Sequence, residues 1–177
     1  PMQGASYGSA LWLQEGRVAV GAPGFATRAG TVALYEWTED RWQARGRLSA
    51  FATDRGDQFG ASLAYHDDRL LVGAPGSGGR NGTGAVFAFS LSDNMSTGMA
   101  ARATRALPAP ALQTRSQFGG ALASAGTALI VGAPGLDNRA GAGFIHDGTD
   151  WTGPLVNETF GYDSMAGDMI ECSEGQA

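Results

Sequence analysis

The chain has 177 residues, 43% of them apolar, with 28 glycines, a formal charge of -5 and an isoelectric point near 4.9. That length supports one domain with a real core, and the acidic balance argues against nucleic acid as a partner. No apolar run approaches the roughly 20 residues of a membrane helix, and no signal peptide is visible. All twelve basic residues are arginine, and the single cysteine, Cys172, is too few for a disulfide framework or a metal site. The opening Pro1-Met2 is expected to reflect processing or a longer parent chain.

In chain order, Tyr7 to Trp12 reads as a short strand, Glu15-Gly16 as a turn, and Arg17 to Val20 as a second strand stopped by Pro23, which cannot donate to a ladder. Gly30 to Tyr35 is the third strand and Arg41 to Leu48 the fourth, so the first unit is a four-stranded meander. The second unit repeats it with Phe59 to Ala64, Leu70 to Val72, Gly84 to Phe89 and a fourth strand somewhere in Ala100 to Leu107. The third has Phe118 to Ser124, Ala128 to Val131, Ala142 to His146 and Trp151 to Val156. Phe160-Gly161 opens a fourth copy that decays by Glu174. No stretch sustains a helical period with caps.

The repetition is more exact than the strands. Val-Gly-Ala-Pro-Gly occurs at 20–24, 72–76 and 131–135, and an aromatic-Gly pair begins fourteen residues before each first glycine, at Tyr7-Gly8, Phe59-Gly60 and Phe118-Gly119. The outer spacing varies, 52 and then 59 residues, so one structural unit recurs with loops of different length between copies. The second strands, Leu70-Leu71-Val72 and Ala128 to Val131, are continuously apolar, the mark of strands buried on both faces. Sheets stacked radially as blades provide two buried faces to a meander. The reading is an all-β β-propeller segment spanning 1–177, with blades at about 7–50, 59–107 and 118–157 and a partial blade at 160–177. Three copies are too few for a closed ring, so further chain or a second copy is expected to complete it.

Phe59-Gly60, Val72-Gly73-Ala74-Pro75 and Gly84-Ala85-Val86-Phe87 closely resemble the FG-GAP repeat, the blade unit of integrin alpha-subunit propellers. The resemblance covers nearly the whole chain, with Tyr7 replacing phenylalanine in the first unit. It implies a non-enzymatic module for binding, adhesion or structural assembly, outside the cell or in a lumen. Two other roles stay open: a propeller appended to a secreted hydrolase, as in phospholipases with such repeats, and a blade-repeat lectin. Burial of Trp12, Trp37, Trp42 and Trp151 in blade packing would count against the lectin. Several integrin blades carry an Asp-x-Asp-x-Asp-Gly calcium loop between strands one and two. Here those loops, Leu13 to Gly16, Tyr65 to Asp68 and Ala125 to Thr127, lack the required oxygen ligands, and no metal or cofactor is expected.

Compartment is read from asparagine. Three of the four asparagines stand in glycosylation sequons, Asn81-Gly82-Thr83, Asn94-Met95-Ser96 and Asn157-Glu158-Thr159, pointing to a secreted or lumenal protein. Among short motifs, Arg55-Gly56-Asp57 spells an integrin-ligand tripeptide, but lies where this repeat ordinarily has an acidic turn. Gly4-Ala5-Ser6-Tyr7-Gly8 fits a nucleophile elbow without its preceding strand or following helix, and the glycine-rich 76–82 lacks the ending of a phosphate loop. His66 and His146 fall in different units with no shared cluster, so neither reads as a metal ligand or triad base.

In a meander blade, loops two-three and four-one share one rim. That rim carries Arg28, Arg80 and Arg139, one per two-three loop, with Arg55 and Arg115. Acids crowd the other rim at Glu15, Glu39, Asp40, Asp67, Asp68, Asp93, Asp147 and Asp150. The arginine rim is therefore the candidate binding surface for an acidic protein or glycan, without membrane insertion. The competing reading is that these arginines pair with neighbouring acids and contribute little.

Overall fold

The computed structural model describes residues 3–50, 54–91, 101–102 and 105–156. The partial blade at 160–177, Cys172, Asp93, Asn94 and Asn157 lie outside them.

Three antiparallel meanders form. The first runs through β1 (Leu11–Gln14), β2 (Arg17–Ala22), β3 (Thr31–Thr38) and β4 (Arg41–Ser49). The second comprises β5 (Ser62–His66), β6 (Arg69–Ala74), β7 (Ala85–Ser90) and β9 (Arg105–Ala106). The third comprises β10 (Ala121–Ala125), β11 (Ala128–Ala133), β12 (Ala142–His146) and β13 (Trp151–Leu155). Among the described residues helix amounts to single turns at Phe25–Arg28, Gly79–Asn81 and Leu136–Arg139, besides Leu91. The fourth strand of the second unit divides: β9 pairs with β7, while β8 (Ala101–Arg102) runs parallel to β4 on the edge of the first blade.

The expected first strands begin too early. Gly8, Gly60 and Gly119 have φ of 93, 89 and 87°, a left-handed conformation that an extended ladder does not carry. The aromatic-Gly pair is a tight turn, and the strand starts two to three residues later. Its role explains the fixed inner spacing. The amides of Gly8, Gly60 and Gly119 donate to the carbonyls of Gly21, Gly73 and Gly132 at 2.9, 3.0 and 3.0 Å. The last glycine of each Val-Gly-Ala-Pro-Gly donates to Ala5, Asp57 or Ser116, two residues before the aromatic, at 3.0 Å in all three cases.

The same pair also reaches the preceding blade. Phe59 N donates to Ala29 O at 3.0 Å and Phe118 N to Thr83 O at 2.7 Å, while both rings are fully buried. Phe59 packs against Phe87 and Phe89 at 5.8 Å between centroids; Phe118 meets Phe144 at 6.1 Å and Trp151 at 5.4 Å.

Two interblade cores result. Ala19, Val32, Leu34 and Leu48 of blade one face Phe59, Leu70, Val72 and Phe89 of blade two. Leu71, Val86 and Ala88 on the other face of blade two meet Phe118, Leu129, Val131 and Phe144 of blade three. β6 is thus buried on both faces from Leu70 to Ala74, as its unbroken apolar run predicts. β11 alternates instead: Ile130, at the position of Leu71, is 42% exposed because no described blade lies beyond it. The array of described blades does not close on itself.

Candidate functional site

The rim bearing the two-three and four-one loops holds an open groove of about 730 Å³ between blades two and three. Its walls come from three loops: Gly79 to Gly82 after β6, Asp137 to Arg139 after β11, and the segment before Phe118. Arg80, Arg115 and Arg139 all line it. Arg28 and Arg55 do not. Arg28 stands exposed in the blade-one loop, where its carbonyl accepts from Gln58 N at 2.8 Å, and Arg55 is exposed in the turn before Asp57.

Local conformation sets these side chains. Asp137, Asn138 and Arg139 are consecutive left-handed residues with φ of 49, 53 and 79°, matched by Ala26, Thr27 and Arg28 at 47, 58 and 68°. Such runs are unfavourable for L-residues and hold only where surrounding bonds fix them. Here Gly141 N donates to Leu136 O, and Gly30 N to Phe25 O, each at 3.0 Å. Arg115 is fixed across the groove: its amide donates to Gly82 O at 2.8 Å and its Nε to Arg80 O at 3.2 Å.

Three guanidiniums beside one carboxylate, Asp137, leave the groove a surplus of positive donors. Gln113, Thr114, Asn81, Asn138 and Gln117 add neutral polar groups that charge counting alone missed. Among the described residues that line it there is no aromatic ring. This arrangement suits carboxylate or sulfate oxygens held by charge-assisted hydrogen bonds. Asn81 lies in the groove wall, exposed.

Asp57 is only 3% exposed, so Arg55-Gly56-Asp57 does not present its acid to solvent. Its Oδ2 accepts from Asp54 N at 2.8 Å, and burial raises its pKa above the ordinary carboxylate range. Ser6 lies in a turn that leads into β1, without the helix a nucleophile elbow needs.

The opposite rim corrects one expectation. His66, last in β5, and His146, last in β12, share a cavity of about 190 Å³ between blades two and three. Both strands end at the same rim of adjacent blades, a juxtaposition visible once the meander is drawn. Nearby, the Asp147 carboxylate accepts from Asp150 N, Thr149 Oγ1 and Thr149 N, which holds its pKa well below the usual range. Among the described residues no group of three or more His, Cys, Asp and Glu is placed to hold a metal ion. None of the described helices is long and apolar enough to cross a membrane.

The tryptophans divide. Trp12 stacks on Tyr65 at 5.1 Å across the blade interface, and Trp151 Nε1 donates to Pro108 O at 2.8 Å. Trp37 and Trp42 meet edge to face at 5.3 Å and remain about half exposed, at 48% and 46%, away from the groove.

Residues 42–89, which take in β4 to β7 and the second Val-Gly-Ala-Pro, match the family model described as FG-GAP repeat. The chain therefore carries an FG-GAP repeat on an all-β, blade-like fold. No curated protein matches it.

Proposed function

We propose that the protein is a non-catalytic, extracellular or lumenal binding module that engages an anionic partner, an acidic protein surface or acidic glycan, through the blade two–three groove. The observation that carries this reading is the convergence of Arg80, Arg115 and Arg139, from three separate loops, on one open groove. The FG-GAP repeat supports a binding role over a catalytic one. The absence of an aromatic ring from the lining favours a charged ligand over stacking of a neutral sugar.

The test is the salt dependence of binding to an immobilised sulfated polysaccharide and to an acidic peptide. Arg80→Glu with Arg139→Glu lowers affinity for the true ligand class at least tenfold, whereas Arg28→Glu, outside the groove, changes it less than twofold. Equal losses from both, or none from either, would remove the groove from the reading.

A further inference from the structure

Blades two and three each pack an aromatic ring against the phenylalanine of their aromatic-Gly pair. Phe59 meets Phe87 at 5.8 Å between centroids, and Phe118 meets Phe144 at 6.1 Å. Both partner rings occupy one register position, opposite the valine of Val-Gly-Ala-Pro: Val72 pairs with Phe87 and Val131 with Phe144. In blade one Val20 pairs with Ala33, so the ring beside Tyr7 is missing. An open cavity of about 410 Å³ stands there, lined among others by Tyr7, Phe25, Ala33, Tyr35 and Arg47.

Among the described residues of this lining, Arg47 is the one ionised group. It is exposed and stands directly opposite Ala33 in the β3–β4 ladder, so the two side chains leave one face of the sheet as neighbours. Its guanidinium carbon lies 5.4 Å from the centre of the Phe25 ring, and its N–H donors have no acceptor among the described residues. The Tyr7 and Tyr35 hydroxyls are 2.8 Å apart; one donates to the other, which leaves the second O–H unspent. Burial and then the Tyr35 hydroxyl raise the Tyr7 pKa, which keeps the phenol protonated, while the nearby Arg47 charge pulls the other way. Tyr7 is 56% exposed, so these donors face open space.

We propose that this cavity binds an aromatic monocarboxylate. Its ring takes the place that Phe87 and Phe144 fill in the other blades, against Tyr7 and over Ala33. The carboxylate accepts from Arg47 and from the unspent hydroxyl of the tyrosine pair, both charge-assisted hydrogen bonds. No acid among the described residues lines the cavity, so nothing there opposes an anion. An amine is disfavoured because Arg47 repels it, and a doubly charged anion carries more charge than one guanidinium balances. At about 30 Å³ per water, 410 Å³ corresponds to about fourteen waters, room for a single ring with a short acidic arm.

Phenylacetate is titrated calorimetrically into the full chain, with phenylacetamide and phenethylammonium at matched ionic strength as controls. The proposal expects one saturable site for phenylacetate and at least tenfold weaker binding of either control. Ala33→Phe supplies from the chain itself the ring that blades two and three possess; it keeps or raises the midpoint of thermal unfolding and abolishes uptake. Arg47→Gln, at an exposed position, keeps the fold and weakens phenylacetate at least tenfold while phenylacetamide is unchanged. Absence of saturable binding, equal affinity for phenylacetamide, or uptake that survives Ala33→Phe would overturn it. Self-association in sedimentation that Ala33→Phe alters, without uptake of the acid, would assign this face to a second copy and overturn it as well. Arg80→Glu with Arg139→Glu leaves phenylacetate binding unchanged, so the fate of this site is separate from that of the arginine groove.

Discussion

Ser62 Oγ donates a hydrogen bond of 2.6 Å to the carbonyl of Gly119, across the interface between blades two and three. Both groups are buried, and the bond joins the start of β5 to the aromatic-Gly turn of the next repeat. Blade one has Ala10 at the equivalent position, so the contact with the following blade exists there without a hydroxyl. Ser62→Ala therefore leaves the fold intact but costs about 1–2 kcal/mol, the loss of a buried bond to an otherwise unpaired carbonyl. Denaturant unfolding monitored by tryptophan fluorescence measures it, and an unchanged midpoint would show that this bond carries no stability.

The three glycines of Val-Gly-Ala-Pro stand in identical sequence but unequal surroundings. A Cβ on Gly21 would lie 2.1 Å from Gly60 O, and one on Gly73 would lie 2.0 Å from Gly119 O. On Gly132 it would meet only its own sheet neighbour, Ala121 Cβ, at 3.2 Å. Backbone cannot move aside as a side chain can. Gly21→Ala and Gly73→Ala are expected to cost about 3 kcal/mol or more, and Gly132→Ala about 1 kcal/mol or less. Equal costs at all three would mean that Gly132 is packed against a further blade in solution.

How much of this was legible in the sequence follows from the kind of contact involved. The repeat, the meander and the burial of β6 on both faces were readable because each is written as a local pattern of aromatic, glycine and apolar residues; the same expectation for β11 fails at Ile130. The placement of Tyr7, Phe59 and Phe118 inside strands was wrong, since their glycines make the turn that hydrogen-bonds thirteen residues ahead. The window Ala100 to Leu107 does hold the fourth strand, β9, but its division was unreadable: two residues each leave β8 and β9 no periodicity, and β8 joins a different blade. On the candidate site, rim arithmetic placed Arg80, Arg115 and Arg139 on one rim, but only packing separates them from Arg28 and Arg55. The histidines failed for the same reason in reverse, because their proximity arises between blades rather than within a unit.

Arg115 offers a way to separate binding from folding. It has φ of 66°, where the equivalent residue of the second unit is Gly56 at 99°. Arg115→Gly relieves left-handed strain of about 1 kcal/mol while losing the Nε bond to Arg80 O, an exposed contact of low value. Stability is expected to change by less than about 1 kcal/mol, whereas affinity for an anionic ligand in the groove falls severalfold. Thermal unfolding and binding on the same preparation check it, and a loss of stability with binding intact would reverse the assignment.

Asp57 sets a pH dependence whose sign follows from its surroundings. Burial is the main cause that raises its pKa, the Asp54 amide opposes, and the Asp54 charge adds to the rise. A carboxyl with a raised folded-state pKa binds its proton more tightly when folded. Stability then falls as pH rises from about 4, the unfolded value, through the raised one, and levels above it. Blade three solves the same position without charge: Ser116 Oγ donates to Gln113 O, and its backbone carbonyl accepts from Gly135 as that of Asp57 does from Gly76. Asp57→Ser is therefore expected to match or exceed the wild type in stability at neutral pH and to lose this slope. Asp57→Ala lacks the hydroxyl that can donate as Ser116 Oγ does to Gln113 O, and is expected to fall about 1 kcal/mol below Asp57→Ser. Denaturant unfolding of the three proteins between acidic and neutral pH measures both effects. An unaltered slope in Asp57→Ser would assign the titration to another group.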